Sequence, residues 1–217
     1  MDNADLTSLD LSSLSKVGWS LSIARNAKLA SIDLSTLETT VASIWMIGNP
    51  MLAGVDLGKL NSVGGDFQLD SNGEMTEAKL GALSSVTGYL EVVGNGKLSD
   101  LDLSALETVG SCSSCHSHVG GGLTVHTNSL ATLELTKLTE MKGHVDIGPN
   151  TEMESVDLSA LTKVLEGINL LKCDKLADFS MPALEYVEGP IHISEMAKLV
   201  TFSVPKLASV NHNNERA

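Results

Sequence analysis

Residues 52–74 read LAGVDLGKLNSVGGDFQLDSNGE, and this stretch sets the fold. Its apolar residues are Leu52, Val55, Leu57, Leu60, Val63, Phe67 and Leu69, followed by Asn72. The first stretch of the chain has the same spacing at Leu6, Leu9, Leu11, Leu14, Val17, Leu21, Ile23 and Asn26. The lead position recurs every 23 residues at Leu6, Leu29, Leu52, Met75 and Leu98, breaks once, and resumes at Leu130, Met153, Leu176 and Leu199. A period of this length marks a solenoid, in which each repeat buries its apolar side chains only against its neighbours. Val156-Asp157-Leu158 and Ile168-Asn169-Leu170 show two alternating triplets in one rung, the signature of strands with one buried face. The stretches between them, such as residues 12–18, are too short for long helices, although short helical turns fit.

The expected fold is therefore mainly all-β: a parallel β-helix of about nine 23-residue rungs. One solenoid domain spans residues 1–217, with rungs from Leu6 to Val210 and an inserted loop at 110–122. Asn26, Asn49, Asn72, Asn95, Asn128 and Asn150 share one position, where a side-chain amide can donate to and accept from turn backbone. This is an asparagine ladder, with Cys173 taking the seventh place as a packed structural thiol and Met196 the eighth.

Composition fits that fold and excludes several functions. Only 3% of residues are aromatic, so Leu, Val, Ile, Met and Ala must build a narrow layered interior. A net charge of −13 disfavours nucleic acid, whose affinity comes from Lys and Arg releasing counterions, and disfavours anionic membranes likewise. No apolar run approaches the ~20 residues that cross a bilayer, and residues 1–10 lack the basic-then-apolar pattern of a secretory signal. No membrane insertion is expected. A nucleophile with its base, or a glycine loop cradling phosphate, is not evident, so the chain reads as non-catalytic.

The motifs Leu98, Leu101, Asp102, Leu103, Leu106, Val109 with Asn128, and Leu29, Ile32, Leu34, Leu37, Ile44, Met46 with Asn49, resemble the receptor L-domain type of leucine-rich repeat, which implies a right-handed β-helix. That resemblance covers Leu6 to Val210 and implies a binding or wall-structural module, extracellular or on the cell surface, without shared catalytic residues. Its partner would be a protein or a cell-wall or matrix component. The disulfide-bonded caps common in such domains have no counterpart here. Both ends stop in register, so end-to-end self-association is also open.

The break in the period holds the densest chemistry. Leu98 to Leu130 spans nine residues more than one period, and the loop from Gly110 to Gly122 holds Cys112, Cys115, His116 and His118 with Gly120, Gly121 and Gly122. Cys-x-x-Cys-His is the attachment signature of haem c, with Cys112 and Cys115 as thioethers and His116 as the proximal ligand. His118, His126 or His144 could supply the distal ligand, and the glycines would let backbone approach a macrocycle. A haem-bearing chain would be an electron carrier, periplasmic or otherwise exported. Two other readings stand beside it: a Cys112 to Cys115 disulfide in an oxidising compartment, and a zinc site of Cys112, Cys115, His116 and His118.

Two outward columns complete the reading. The first triplet presents Asp10, Asp33, Asp56, Lys79, Asp102, Glu134, Asp157, Ser180 and Ser203, a solvated acidic face. The second presents Ser22, Trp45, Gln68, Glu91, Thr124, Asp146, Asn169 and His192, a varied set suited to a specific partner. Trp45, Gln68 and Glu91 are its candidate contact residues, with Trp45 either an anchor or covered by its neighbours.

Overall fold

The computed structural model describes residues 3–110 and 121–210. Every regular element among them is a β-strand, no helix occurs, and each strand pairs in parallel with its neighbours. The result is a parallel β-solenoid of eight complete turns and the start of a ninth. Each rung pairs with the next in the register the period requires, as Leu21 with Ile44 and Ile44 with Phe67.

Each turn has three straight segments rather than the two read from the triplets. Rung one shows them as Ser8–Asp10, Lys16–Val17 and Leu21–Ala24. The two-residue segments stack into a narrow nine-stranded sheet, and the four-residue ones into a broad eight-stranded sheet. A two-residue strand has one inward side chain, such as Val17 or Val63, and so leaves no alternation for a sequence reading to find. The triplet strands form a third face, broken into four short sheets.

The core runs along the axis. Leu34, Leu37, Ile44, Met46, Leu57, Phe67 and Leu69 are fully buried, each such side chain stabilising the fold by roughly 1.5–3 kcal/mol over exposure. Corners close with tight turns, in which Leu37 N–H donates to Leu34 O (2.9 Å) and Leu52 N–H to Asn49 O (3.0 Å). Before five of the ladder asparagines the residue is left-handed: Arg25, Ser71 and Thr127 have φ of 58°, 56° and 56°, and Gly48 and Gly94 have 67° and 70°. L side chains are disfavoured there, so tertiary packing imposes this backbone on residues whose identity does not announce it.

The asparagine ladder forms as expected. Asn49 Oδ1 accepts from Asn26 N–H at 3.1 Å, Asn72 Oδ1 from Asn49 N–H at 3.1 Å, and Asn95 Oδ1 from Asn72 N–H at 3.0 Å. The amide nitrogens donate to carbonyls of the preceding rung, as Asn72 Nδ2 does to Met46 O at 2.9 Å. Each side chain thus joins adjacent rungs and satisfies groups that water cannot reach. Cys173 continues the column fully buried, its sulfur 3.7 Å from Leu171 O, and burial raises its thiol to about 11.

The acidic column is exposed and also has a local structural task. The oxygens of Asp10, Asp33, Asp56, Asp102 and Asp157 accept the backbone N–H two residues on, at 3.0, 3.1, 3.0, 3.1 and 2.8 Å. These are Asx turns, which fix the corner after the triplet strand. At Asp10 the Ser12 hydroxyl, and then its N–H, hold the carboxyl below its ordinary range.

Candidate functional site

On the broad sheet the outward column is continuous. Ser22, Trp45, Gln68, Glu91, Thr124, Asp146, Asn169 and His192 lie side by side on successive strands. Gln68 Nε2 donates to Glu91 Oε2 at 2.9 Å. Trp45, Gln68 and Glu91 are each half-buried by their neighbours. Trp19, at the corner before Leu21, is the exposed tryptophan at 76%, and Val41 in the next rung is 65% exposed. Sequence reading passed over Trp19 because it lies outside the alternating triplets.

A second column flanks the first. Ser20 Oγ accepts from Ser43 N–H (3.3 Å), Ser43 Oγ from Asp66 N–H (2.9 Å), and Asp66 Oδ1 from Tyr89 N–H (3.0 Å). In later rungs these capping residues give way to Tyr89, Gly122 and His144. The Tyr89 and His144 rings approach over Gly122, with centroids 6.1 Å apart. Burial first, and then the carboxylates of Glu166 and Asp66, raise the Tyr89 hydroxyl above its ordinary value.

Both described candidate distal ligands lie on this face, and each meets a carboxylate. His144 Nε2 is 3.2 Å from Thr124 Oγ1, and its Nδ1 is 3.5 Å from Glu166 Oε2. His126 Nε2 is shielded from solvent, 2.9 Å from Asp146 Oδ1 but outside hydrogen-bonding alignment. Two half-buried imidazoles therefore sit among three acidic or phenolic groups, an arrangement suited to holding a polar partner.

The insertion springs from this edge. A Cβ on Gly121 would fall 2.8 Å from Gly110 Cα and 2.8 Å from Gly88 O, so the two stems touch and the loop enters and leaves at one point. Val86 pairs with Val109 below the loop in normal register, and Leu90 with Leu123 above it. The rungs therefore stack as though nothing intervened. Gly122 has its own reason to be glycine, because a Cβ there would lie 2.6 Å from the His144 ring. Gly121 and Gly122 thus both sit where the backbone comes close to a neighbouring rung. Cys112, Cys115, His116, His118 and Gly120 lie outside the described residues. Among the described residues, no three His, Cys, Asp or Glu side chains are grouped to hold a metal ion.

Other polar features have structural explanations. Lys28 pairs with Asp5 (2.7 Å), Lys97 with Glu74 (2.6 Å) and Lys175 with Glu152 (2.5 Å), each joining adjacent rungs on the surface. Such exposed pairs contribute at most about 1 kcal/mol. No protein-family model, curated protein or solved structure matches this chain.

Proposed function

We propose that this solenoid is a non-catalytic binding scaffold of the cell surface or extracellular space, engaging a protein or a wall or matrix component along its broad sheet. The supporting observation is that the central outward column of this sheet does not repeat. In six rungs of the ladder an asparagine recurs, and in five rungs of the acidic column an aspartate closes the same turn. Along the broad sheet Trp45, Gln68, Glu91, Thr124, Asp146 and Asn169 differ at every step while their backbones stay in register. Leucine-rich spacing of the receptor L-domain type agrees with this role, and half-buried side chains that already hold one another offer a pre-organised surface.

The test is a binding screen against wall polysaccharides and surface-protein ectodomains. Trp45→Ala and Gln68→Ala with Glu91→Ala should each reduce the bound signal at least tenfold, while Asp56→Asn on the acidic face leaves it unchanged. Equal loss from both faces would contradict the reading.

The opposing reading places haem c on Cys112, Cys115 and His116, with His126 or His144 as the described distal candidates. It is separated by an intact mass and a visible spectrum of protein from its native source or from a host equipped for haem attachment. The scaffold reading expects a colourless protein at its sequence mass, or two hydrogens lighter if Cys112 and Cys115 are joined. A Soret band that shifts on reduction, with mass raised by one haem, would replace it.

A further inference from the structure

Three successive rungs of the broad sheet bring a hydroxyl, an imidazole and a carboxylate into one chain of contacts, a grouping that sequence spacing does not show. Thr124 Oγ1 lies 3.2 Å from His144 Nε2, and His144 Nδ1 lies 3.5 Å from Glu166 Oε2. A Cβ on Gly122 would meet ring atoms Cε1, Nδ1 and Nε2 at 2.6, 2.7 and 2.8 Å, so the imidazole is seated over that glycine. The Tyr89 ring, one rung earlier, bounds it with centroids 6.1 Å apart. A carboxylate facing Nδ1 favours the ring proton there and leaves the Nε2 lone pair to accept from the Thr124 hydroxyl. The carboxylates beside Thr124 are otherwise engaged: Glu91 accepts from Gln68 Nε2 at 2.9 Å, and Asp146 lies 2.9 Å from His126 Nε2.

We infer that Thr124 is an acyl acceptor, with His144 as its base and Glu166 as the positioning residue, and that it takes the acyl group of a neutral ester or thioester. The hydroxyl proton passes to His144 Nε2 as Thr124 Oγ1 bonds to the carbonyl carbon. The bond from that carbon to the leaving oxygen or sulfur then breaks, its electron pair stays with the leaving group, and His144 returns the proton to it. The products are a threonyl ester and a free alcohol or thiol. Glu91 and Asp146 pair with Thr124 on its two sides and repel anionic donors such as acyl phosphates. Strand Gly122–His126 lies between two paired strands, so its amides are committed to the sheet rather than aimed at a developing oxyanion. The ester is therefore formed once and not turned over, a covalent attachment that adds to a non-catalytic scaffold and does not depend on which partner the sheet binds.

The test incubates the full chain with p-nitrophenyl acetate and follows its intact mass, with peptide mapping to place each acetyl group. Thr124 should be acetylated about a hundredfold faster than Thr151, an exposed threonine of the same chain. His144→Phe keeps a ring over Gly122 and should bring Thr124 down to the Thr151 rate. Glu166→Gln should slow it several-fold, whereas Thr124→Ser should retain the fast reaction at position 124. Thermal unfolding verifies that each variant folds; should His144→Phe fail to fold, Glu166→Gln and Thr124→Ser decide the question. Equal rates at Thr124 and Thr151 in the wild type would overturn the inference, as would a fast Thr124 that His144→Phe or Glu166→Gln leaves unchanged. Acetyl phosphate should label Thr124 no faster than Thr151, and labelling as fast as by the ester would overturn the donor class.

Discussion

The acidic face and the broad sheet are built by the same backbone repeat yet carry different kinds of information. On the acidic face Asp33, Asp56 and Asp102 recur because each closes the same Asx turn. On the broad sheet the outward position passes from Trp45 to Gln68 to Glu91 with the strands equally well paired. A repeat position that folding uses keeps one residue type in most rungs, as aspartate does in five of the acidic column; a position that changes at every step is released from that requirement and can serve recognition. The comparison teaches where to look for function in a solenoid, and it is open to attack from both sides.

The largest effect is expected at the corner beneath the insertion, which belongs with the constrained positions. A Cβ on Gly143 would fall 1.1 Å from Gly121 O, a clash with backbone that cannot rotate away. Gly143→Ala should therefore cost about 3 kcal/mol or more in chemical denaturation. Next comes the ladder. Asn72→Ala strands Asn49 N–H and Met46 O in the core, and should cost roughly 2–3 kcal/mol. Asp56→Ala removes one exposed turn bond to Gly58 N–H and should cost about 1 kcal/mol. A ladder substitution no costlier than a turn substitution would break the ranking that separates the columns.

Cys173 sharpens the same ranking through pH. Its ordinary value of 9.0 is raised to about 11, by burial above all. Between those values the unfolded chain binds fewer protons than the folded one, so stability must fall as pH rises. Below about 9 the thiol contributes no slope. The difference between wild type and Cys173→Ala, measured by denaturation from pH 8 upward, isolates this contribution from the lysines and tyrosines that titrate nearby. Parallel curves would mean that Cys173 is not held as a buried neutral member of the ladder.

Much of this architecture was legible in the sequence because a solenoid writes its contacts at a fixed spacing. Leu29 over Leu52, and Asn49 over Asn72, follow from the period alone, as does the order of both outward columns. What escaped reading lacks periodic contrast or depends on closeness in space. The two-residue strands such as Ser62–Val63 show a single buried side chain and so no alternation. The left-handed corners at Arg25, Ser71 and Thr127 are occupied by residues that do not advertise that backbone. The close approach of Gly121 to Gly110 and Gly88, and of Gly122 to the His144 ring, depends on the fold and not on the spacing. The Asx turns did leave a signal, the repeated Asp-Leu-Ser and Asp-Leu-Gly, which exposed acidity alone did not explain.

The most direct measurement is a pair of melting temperatures. One triple variant carries Asp33→Ala, Asp56→Ala and Asp102→Ala; the other carries Gln68→Ala, Glu91→Ala and Asn169→Ala. The turn triple should melt well below wild type, losing about 3 kcal/mol if its sites add, whereas the broad-sheet triple should stay within about 1 kcal/mol, as expected of surface positions. A broad-sheet triple as unstable as the turn triple would mean that this face is needed for folding, and its variety could no longer be assigned to a partner.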